Sequence, residues 1–170
     1  MSYACCVPFN PDSKESQLVD RFQKLDIGFL ITAPEIGRHV FNAARAAKVH
    51  TIVLTRHENL LAGEFVLEST AEAPNFFKGT LKSVRDISEP VLILHTSGST
   101  AEPKAVPLTT RNLLASVDNL ITSLELTHDS VALNMMPLFH IGALVDLTLA
   151  SIKVGGSVIV TRDMTAETFY

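Results

Sequence analysis

Tryptophan is absent from the 170 residues, and tyrosine and cysteine occur only twice each. The two cysteines, Cys5 and Cys6, are adjacent. Neighbouring residues on an extended chain point to opposite faces, so a disulfide framework is excluded and a reducing, intracellular compartment fits best. No run approaches the roughly eighteen uninterrupted apolar residues that a membrane span requires, and no charged stretch precedes an apolar one at the N-terminus. A basic excess is missing too: 14 Lys and Arg stand against 18 Asp and Glu, a formal net charge of −4. That balance excludes a broad positive field for nucleic acid or for an anionic membrane surface, so any anion is to be held by a local site. The six histidines show no ligand-like pairing, and no metal site is assigned. The chain is 46% hydrophobic, enough to bury a sizeable core. A soluble, cytoplasmic protein is the expectation.

Short apolar runs alternate with helical periodicity along the chain. Tyr3 to Phe9 predicts a buried strand ended by the Asn10-Pro11 turn, and Asp12 with Glu15 predicts a capping-box start for a helix burying Leu18, Phe22 and Leu25. Ile27 to Thr32 is the next strand, Ile36, Val40, Ala43, Ala44 and Ala47 recur at helical spacing, and Thr51 to Leu54 is a β-branched run. This βαβαβ rhythm predicts an α/β fold, a mostly parallel sheet with covering helices. Residues 56 to 90 lack any sustained period and read as surface connection with one short helix. Val91 to Leu94 is a compact strand. Beyond it, Leu113, Val117, Leu120, Ile121 and Leu124 form one helical stripe, Val131 to Met135 a strand, Gly142 to Val154 a helix apolar nearly all round, Ser157 to Thr161 a strand, and Thr165 to Tyr170 the start of another helix.

The strand at Val91 to Leu94 runs into His95-Thr96-Ser97-Gly98-Ser99-Thr100, with Pro103-Lys104 just beyond. Hydroxyls at Thr96, Ser97, Ser99 and Thr100, a backbone free of Cβ at Gly98, and exposed N–H groups are what a polyphosphate needs at a strand end. Lys104 adds a point charge on a turn that Pro103 stiffens. The P-loop NTPase pattern is excluded, because Lys104 has no Gly before it and no Ser or Thr after it.

The string Thr96-Ser97-Gly98-Ser99-Thr100-x-x-Pro103-Lys104 after a strand resembles the phosphate loop of the adenylate-forming (AMP-binding) superfamily: acyl-CoA synthetases, luciferases and peptide-synthetase adenylation domains. Three further blocks fall in the same order. Ala4 to Pro11 resembles the family's segment ending in an Asn-Pro turn, Met136-Pro137-Leu138-Phe139-His140-Ile141-Gly142 its Pro-Leu-Phe-His block, and Gly155 to Val160 the strand that follows a buried helix. The His95-Thr96-Ser97-Gly98 start is similar to that of small-acid CoA ligases of the oxalate type. The chain departs from the family at Ala101, Ala105 and Ala143, where Gly is commoner. A methyl at Ala101 or Ala105 would crowd the turn if φ were positive there, and one at Ala143 would narrow the adjacent pocket.

The resemblance implies residues 1–170 as a single incomplete adenylation domain, part of the large N-terminal domain of an adenylate-forming enzyme. It implies ATP and Mg²⁺ as cofactors, a small-molecule carboxylic acid as substrate, and CoA or a phosphopantetheine carrier as acyl acceptor. Thr96, Ser97, Gly98, Ser99, Thr100 and Lys104 become the ATP phosphate-binding residues, and His140 a substrate-pocket residue rather than an acid–base group. No catalytic residue is assigned. The family's adenine-binding segment, its Mg²⁺-holding Glu, its ribose-binding Asp and the Lys of its C-terminal domain would follow Tyr170, so the chain is expected to be inactive alone. Two other readings stay open: an adenylation domain feeding a peptide synthetase or carboxylate reductase, and a truncated, non-catalytic interaction module. The resemblance also leaves room for a peroxisomal location in a full-length parent.

Overall fold

In the computed structural model, which describes residues 4–57, 61, 64–70, 86–96, 103–161 and 165, the chain divides into two units. One is Asn10–Thr80, and the other joins Met1–Phe9 to Leu81–Tyr170.

The first unit holds helix α1 (Glu15–Lys24), strand β1 (Phe29–Thr32), helix α2 (Arg38–Ala46), strand β2 (His50–Thr55) and strand β3 (Val66–Ser69). α1 buries Leu18 and Phe22, and α2 buries Val40, Ala43 and Ala44, the apolar positions that the helical spacing singles out. α1 begins later than the Asp12–Glu15 pattern suggests. The Asp12 N–H is taken by Asn10 Oδ1 at 2.9 Å, so this residue closes an Asx turn, and the helix opens where the Lys14 N–H meets Gln17 Oε1 at 3.2 Å. β1 and β2 pair in parallel from Phe29 opposite His50 to Thr32 opposite Val53. β3 then pairs antiparallel with β2. It lies in the stretch read from the sequence as connection, and its four residues are all exposed. With no face buried there is no alternation to see.

In the second unit, strand β4 (Pro90–His95) pairs antiparallel with β5 (Ala105–Thr109), from Leu92 opposite Leu108 to His95 opposite Ala105. On its other side β4 is bridged in parallel by Cys6, whose N–H donates to Val91 O and whose carbonyl accepts from Ile93 N–H, both at 2.9 Å. Residues 4–9 of the strand expected at Tyr3 to Phe9 are described, and they make this one bridge at Cys6 rather than a continuous strand. Helix α3 (Thr110–Ser123) starts with a reciprocal cap: Asn112 N–H donates to Thr109 Oγ1 and Thr109 N–H to Asn112 Oδ1. It ends at Leu124, which is therefore exposed rather than part of the buried stripe. Strands β6 (Val131–Asn134) and β7 (Ser157–Val160) pair in parallel. Between them the expected apolar helix is present but changes pitch, with a π-helix over Gly142–Leu149 continuing into α4 (Ala150–Val154).

The core of this unit gathers Leu92 and Leu94 of β4, Val117 of α3, Val145 of the π-helix and Ala150 of α4. Each fully buried Leu or Val side chain contributes about 1.5–3 kcal/mol, so β4 is held chiefly by its two leucines. The chain is thus α/β. Its parallel pairs are β1–β2 and β6–β7, and its antiparallel pairs β2–β3 and β4–β5. Of the helix expected from Thr165 onward, only Thr165 is among the described residues. No helix of the described residues is long and apolar enough to cross a membrane.

α4 ends in a Schellman turn. Gly155 sits at φ 77°, its N–H donating to Ile152 O at 3.0 Å while Gly156 N–H donates to Ser151 O at 2.9 Å. A Cβ on Gly156 would lie 2.6 Å from Ser130 O and 3.3 Å from Thr127 O, both backbone atoms. The two glycines therefore answer different demands, conformation at the first and close approach at the second. Gly156→Ala is expected to cost about 1–3 kcal/mol by overpacking, and Gly155→Ala about 1–2 kcal/mol by forcing a left-handed alanine. Thermal unfolding of the two variants checks this, and an unchanged midpoint for Gly156→Ala would refute the close approach.

Candidate functional site

β4 and β5 pair antiparallel, and the hydroxyl-rich string is the sequence between them. The last ladder pair is His95 opposite Ala105. One step further, Thr96 N–H donates to Lys104 O at 3.0 Å, and Lys104 N–H donates to Thr96 Oγ1 at 3.1 Å. In a continued antiparallel ladder the second bond would go to the Thr96 carbonyl. The hydroxyl takes its place, so the ladder ends here and the two chains are joined at the neck. Thr96 and Lys104 are exposed. Ser97, Gly98, Ser99 and Thr100 lie outside the described residues, as does Ala101. Ala105 is a strand residue paired with His95 and is not among the described non-glycine residues with positive φ. The concern that its methyl would strain a turn is therefore removed.

The neck end of β4 is packed as well as paired. Phe9 lies beside His95, ring centroids 5.6 Å apart and planes tilted by 36°. Partial burial pushes the Cys6 thiol above its ordinary value, so the thiol is a poor nucleophile at neutral pH.

His140 stands on a different element, the turn between β6 and the π-helix. Its N–H donates to Pro137 O at 3.0 Å, its carbonyl accepts from Leu144 N–H at 3.1 Å, and its ring lies 4.6 Å from that of Phe139. The side chain is exposed, among the exposed apolar side chains of Met136, Leu138 and Ile141. The fully buried Ala143 belongs to the interior beneath this turn.

A residue that sequence reasoning passed over holds the turn in place. Asn134, the last residue of β6, has no exposed surface. Its Nδ2 donates to Ala143 O and to Thr148 Oγ1, both at 3.2 Å, and its Oδ1 accepts from Met136 N–H at 3.1 Å. Thr148 Oγ1 also donates to Ala143 O at 2.7 Å. The Ala143 carbonyl thus takes two side-chain donors at the point where the helix widens to π pitch, a feature frequent at functional sites. The available signal was a lone amide closing an apolar strand, which must find partners when buried.

The remaining histidines have local partners. His39 Nε2 meets Pro11 O at 2.7 Å, His50 Nε2 meets Ser69 Oγ at 2.9 Å, His57 lies 3.9 Å from Glu68, and His128 lies 3.3 Å from Asp129. Among the described residues no group of three or more His, Cys, Asp or Glu side chains converges to hold a metal ion.

The family model for AMP-binding enzymes matches residues 1–169. Among curated proteins, oxalate–CoA ligase of Arabidopsis thaliana is 30% identical over 155 residues, 91% of this chain and 30% of that enzyme. A probable CoA ligase of Humulus lupulus is 32% identical over 153 residues, 88% of this chain and 27% of the other. Among solved structures, ATP-bound MatB from Rhodopseudomonas palustris superposes with a TM-score of 0.75 at 19% identity, covering 97% of this chain and 31% of that one. The chain therefore spans under a third of the length of each.

Replacing Asn134 by Leu would keep most of the volume and strip the amide. Ala143 O would retain the Thr148 hydroxyl, but the Met136 N–H would lose its acceptor. A half-buried donor left without its acceptor costs about 1 kcal/mol, the lower end of the penalty for a stranded group. Urea unfolding should show that loss, and a variant as stable as the parent would mean that the turn at 135–142 is held by other contacts.

Proposed function

The chain belongs to the AMP-binding enzyme family, and from that premise we propose that it is the polyphosphate-holding part of an ATP-dependent carboxylate-activating enzyme. In the first half-reaction a carboxylate oxygen attacks the α-phosphorus of ATP, the bond to the bridging oxygen breaks, and acyl-adenylate and pyrophosphate form. In the second, the sulfur of CoA or of a carrier-bound pantetheine attacks the acyl carbon and AMP leaves. The observation that carries this reading is the hairpin of β4 and β5, closed at its neck by Thr96 and Lys104. In the sequence, Ser97, Gly98, Ser99 and Thr100 lie between these two residues.

The loop would hold the β- and γ-phosphates and offset the charge that builds on the leaving pyrophosphate. Hydroxyls and backbone N–H groups supply directed hydrogen bonds, and Lys104 supplies the charge. The exposed turn with Met136, Leu138, His140 and Ile141 would line the path of the acyl group. His140 there shapes the pocket and moves no proton. Chemistry needs the acid, the α-phosphate and the thiol held together, and the loop orients one end of one substrate. The 170-residue chain is thus expected to bind polyphosphate weakly and to catalyse nothing.

Two measurements test this. In an enzyme that carries this segment with its remaining parts, Lys104→Ala should lower kcat/KM for ATP by roughly ten- to a hundredfold, since a charge-assisted contact contributes about 1.5–3 kcal/mol. Kinetics equal to the parent would make Lys104 a surface lysine. For the chain itself the assay is carboxylate-dependent exchange of labelled pyrophosphate into ATP. Exchange above a Lys104→Ala control would show that a whole site resides in these residues.

A further inference from the structure

The family resemblance groups Thr96 with the phosphate-binding hydroxyls, but its geometry assigns it another task. We propose that Thr96 is a positioning residue of the loop, acting on the polyphosphate through Lys104 rather than by touching a phosphate. This rests on the polyphosphate reading of the hairpin.

Both backbone polar groups of Lys104 are engaged by Thr96: the carbonyl accepts from the Thr96 N–H, and the N–H donates to the Thr96 hydroxyl. Pro103, directly before the lysine, has its own φ fixed by its ring. The lysine Cα is thereby fixed relative to β4, and β4 is fixed by Cys6 on one side and β5 on the other. A lysine ammonium is a point charge on a flexible stem with large rotamer freedom, so its aim is set by where its stem is rooted. The Thr96 hydroxyl oxygen is committed to the neck as an acceptor, at 3.1 Å from the Lys104 N. The side chain does what a backbone carbonyl does elsewhere in the ladder, and in doing so it lets the chain leave the ladder one residue earlier. Valine at this position would keep the shape and remove the acceptor; serine would keep the acceptor.

The experiment uses the 170-residue chain and inorganic tripolyphosphate as the probe. Lys104 amide exchange is followed by NMR and affinity by titration, for the parent, Thr96→Val, Thr96→Ser, Lys104→Ala and the Thr96→Val/Lys104→Ala pair. Loss of one ordinary hydrogen bond corresponds to roughly three- to tenfold in a binding constant. Thr96→Val should therefore weaken binding by about that factor and speed Lys104 amide exchange. Thr96→Ser should restore both. In the Lys104→Ala background Thr96→Val should cost nothing further, because the effect travels through the lysine. If the two losses add in full, Thr96 contacts the phosphate itself and the proposal is wrong; the same follows if Thr96→Val binds as the parent does. Failure of the parent chain to bind tripolyphosphate at all would overturn the polyphosphate reading together with this proposal, an outcome distinct from the other two.

Discussion

Strand β4 is the constraint on which the candidate site depends. It is paired on both edges, to Cys6 in parallel and to β5 antiparallel, and it drives Leu92 and Leu94 into the core of its unit. A loop that must present hydroxyls and N–H groups to an anion is itself poor in apolar side chains and adds little to its own stability. Its geometry has to be inherited from what it is attached to. Here the inheritance is direct: the buried leucines fix the strand, the strand fixes Thr96, and Thr96 fixes both backbone groups of Lys104.

A second device of the same kind operates at β6. Asn134 is a fully buried amide whose cost is offset because its oxygen and its nitrogen both find partners. One of these, the Met136 N–H, is at the start of the turn, and the other, the Ala143 carbonyl, lies beyond its end. The turn that carries Phe139 and His140 is therefore tied at both ends to a single side chain. Exposed functional candidates stand on the surface in both places, and the residues that set their positions are buried or committed to the backbone.

What could be read from the residues follows the same division. The stripes Leu18, Phe22 and Val40, Ala43, Ala44 were legible because a buried helix face imposes a period, and β2 because Thr51 to Leu54 is β-branched and bounded. β3 escaped because its four residues are all exposed. β5 escaped because Pro107 argues against a strand, yet Pro107 sits opposite Ile93 in the ladder; proline is tolerated where its missing N–H faces outward. The start of α1 was misplaced because Asn10 captures the Asp12 N–H, a competition between side chain and helix that spacing alone does not reveal. For the site, the hydroxyl string and Lys104 were visible as composition and order. The bond from the Lys104 N–H to the Thr96 hydroxyl was not, since nothing in the order of residues says which oxygen that N–H meets. Asn134 was hidden for a related reason, as nothing in a strand-ending asparagine says that its partners lie at residues 136, 143 and 148.

Charge decides how much this geometry matters. With 14 basic and 18 acidic residues, the chain has no long-range field to gather a polyanion. Screening also limits exposed charges to a range of about 8 Å at physiological ionic strength. A protein with a broad basic face tolerates a displaced lysine because its neighbours make up the field. This loop has Lys104 as the cation of its motif, and a displacement of a few ångströms removes the charge from the phosphates it would serve. Affinity then has to come from hydrogen bonds and one charge at fixed positions. That requirement explains why the neck is joined by a reciprocal pair of bonds instead of being left to open.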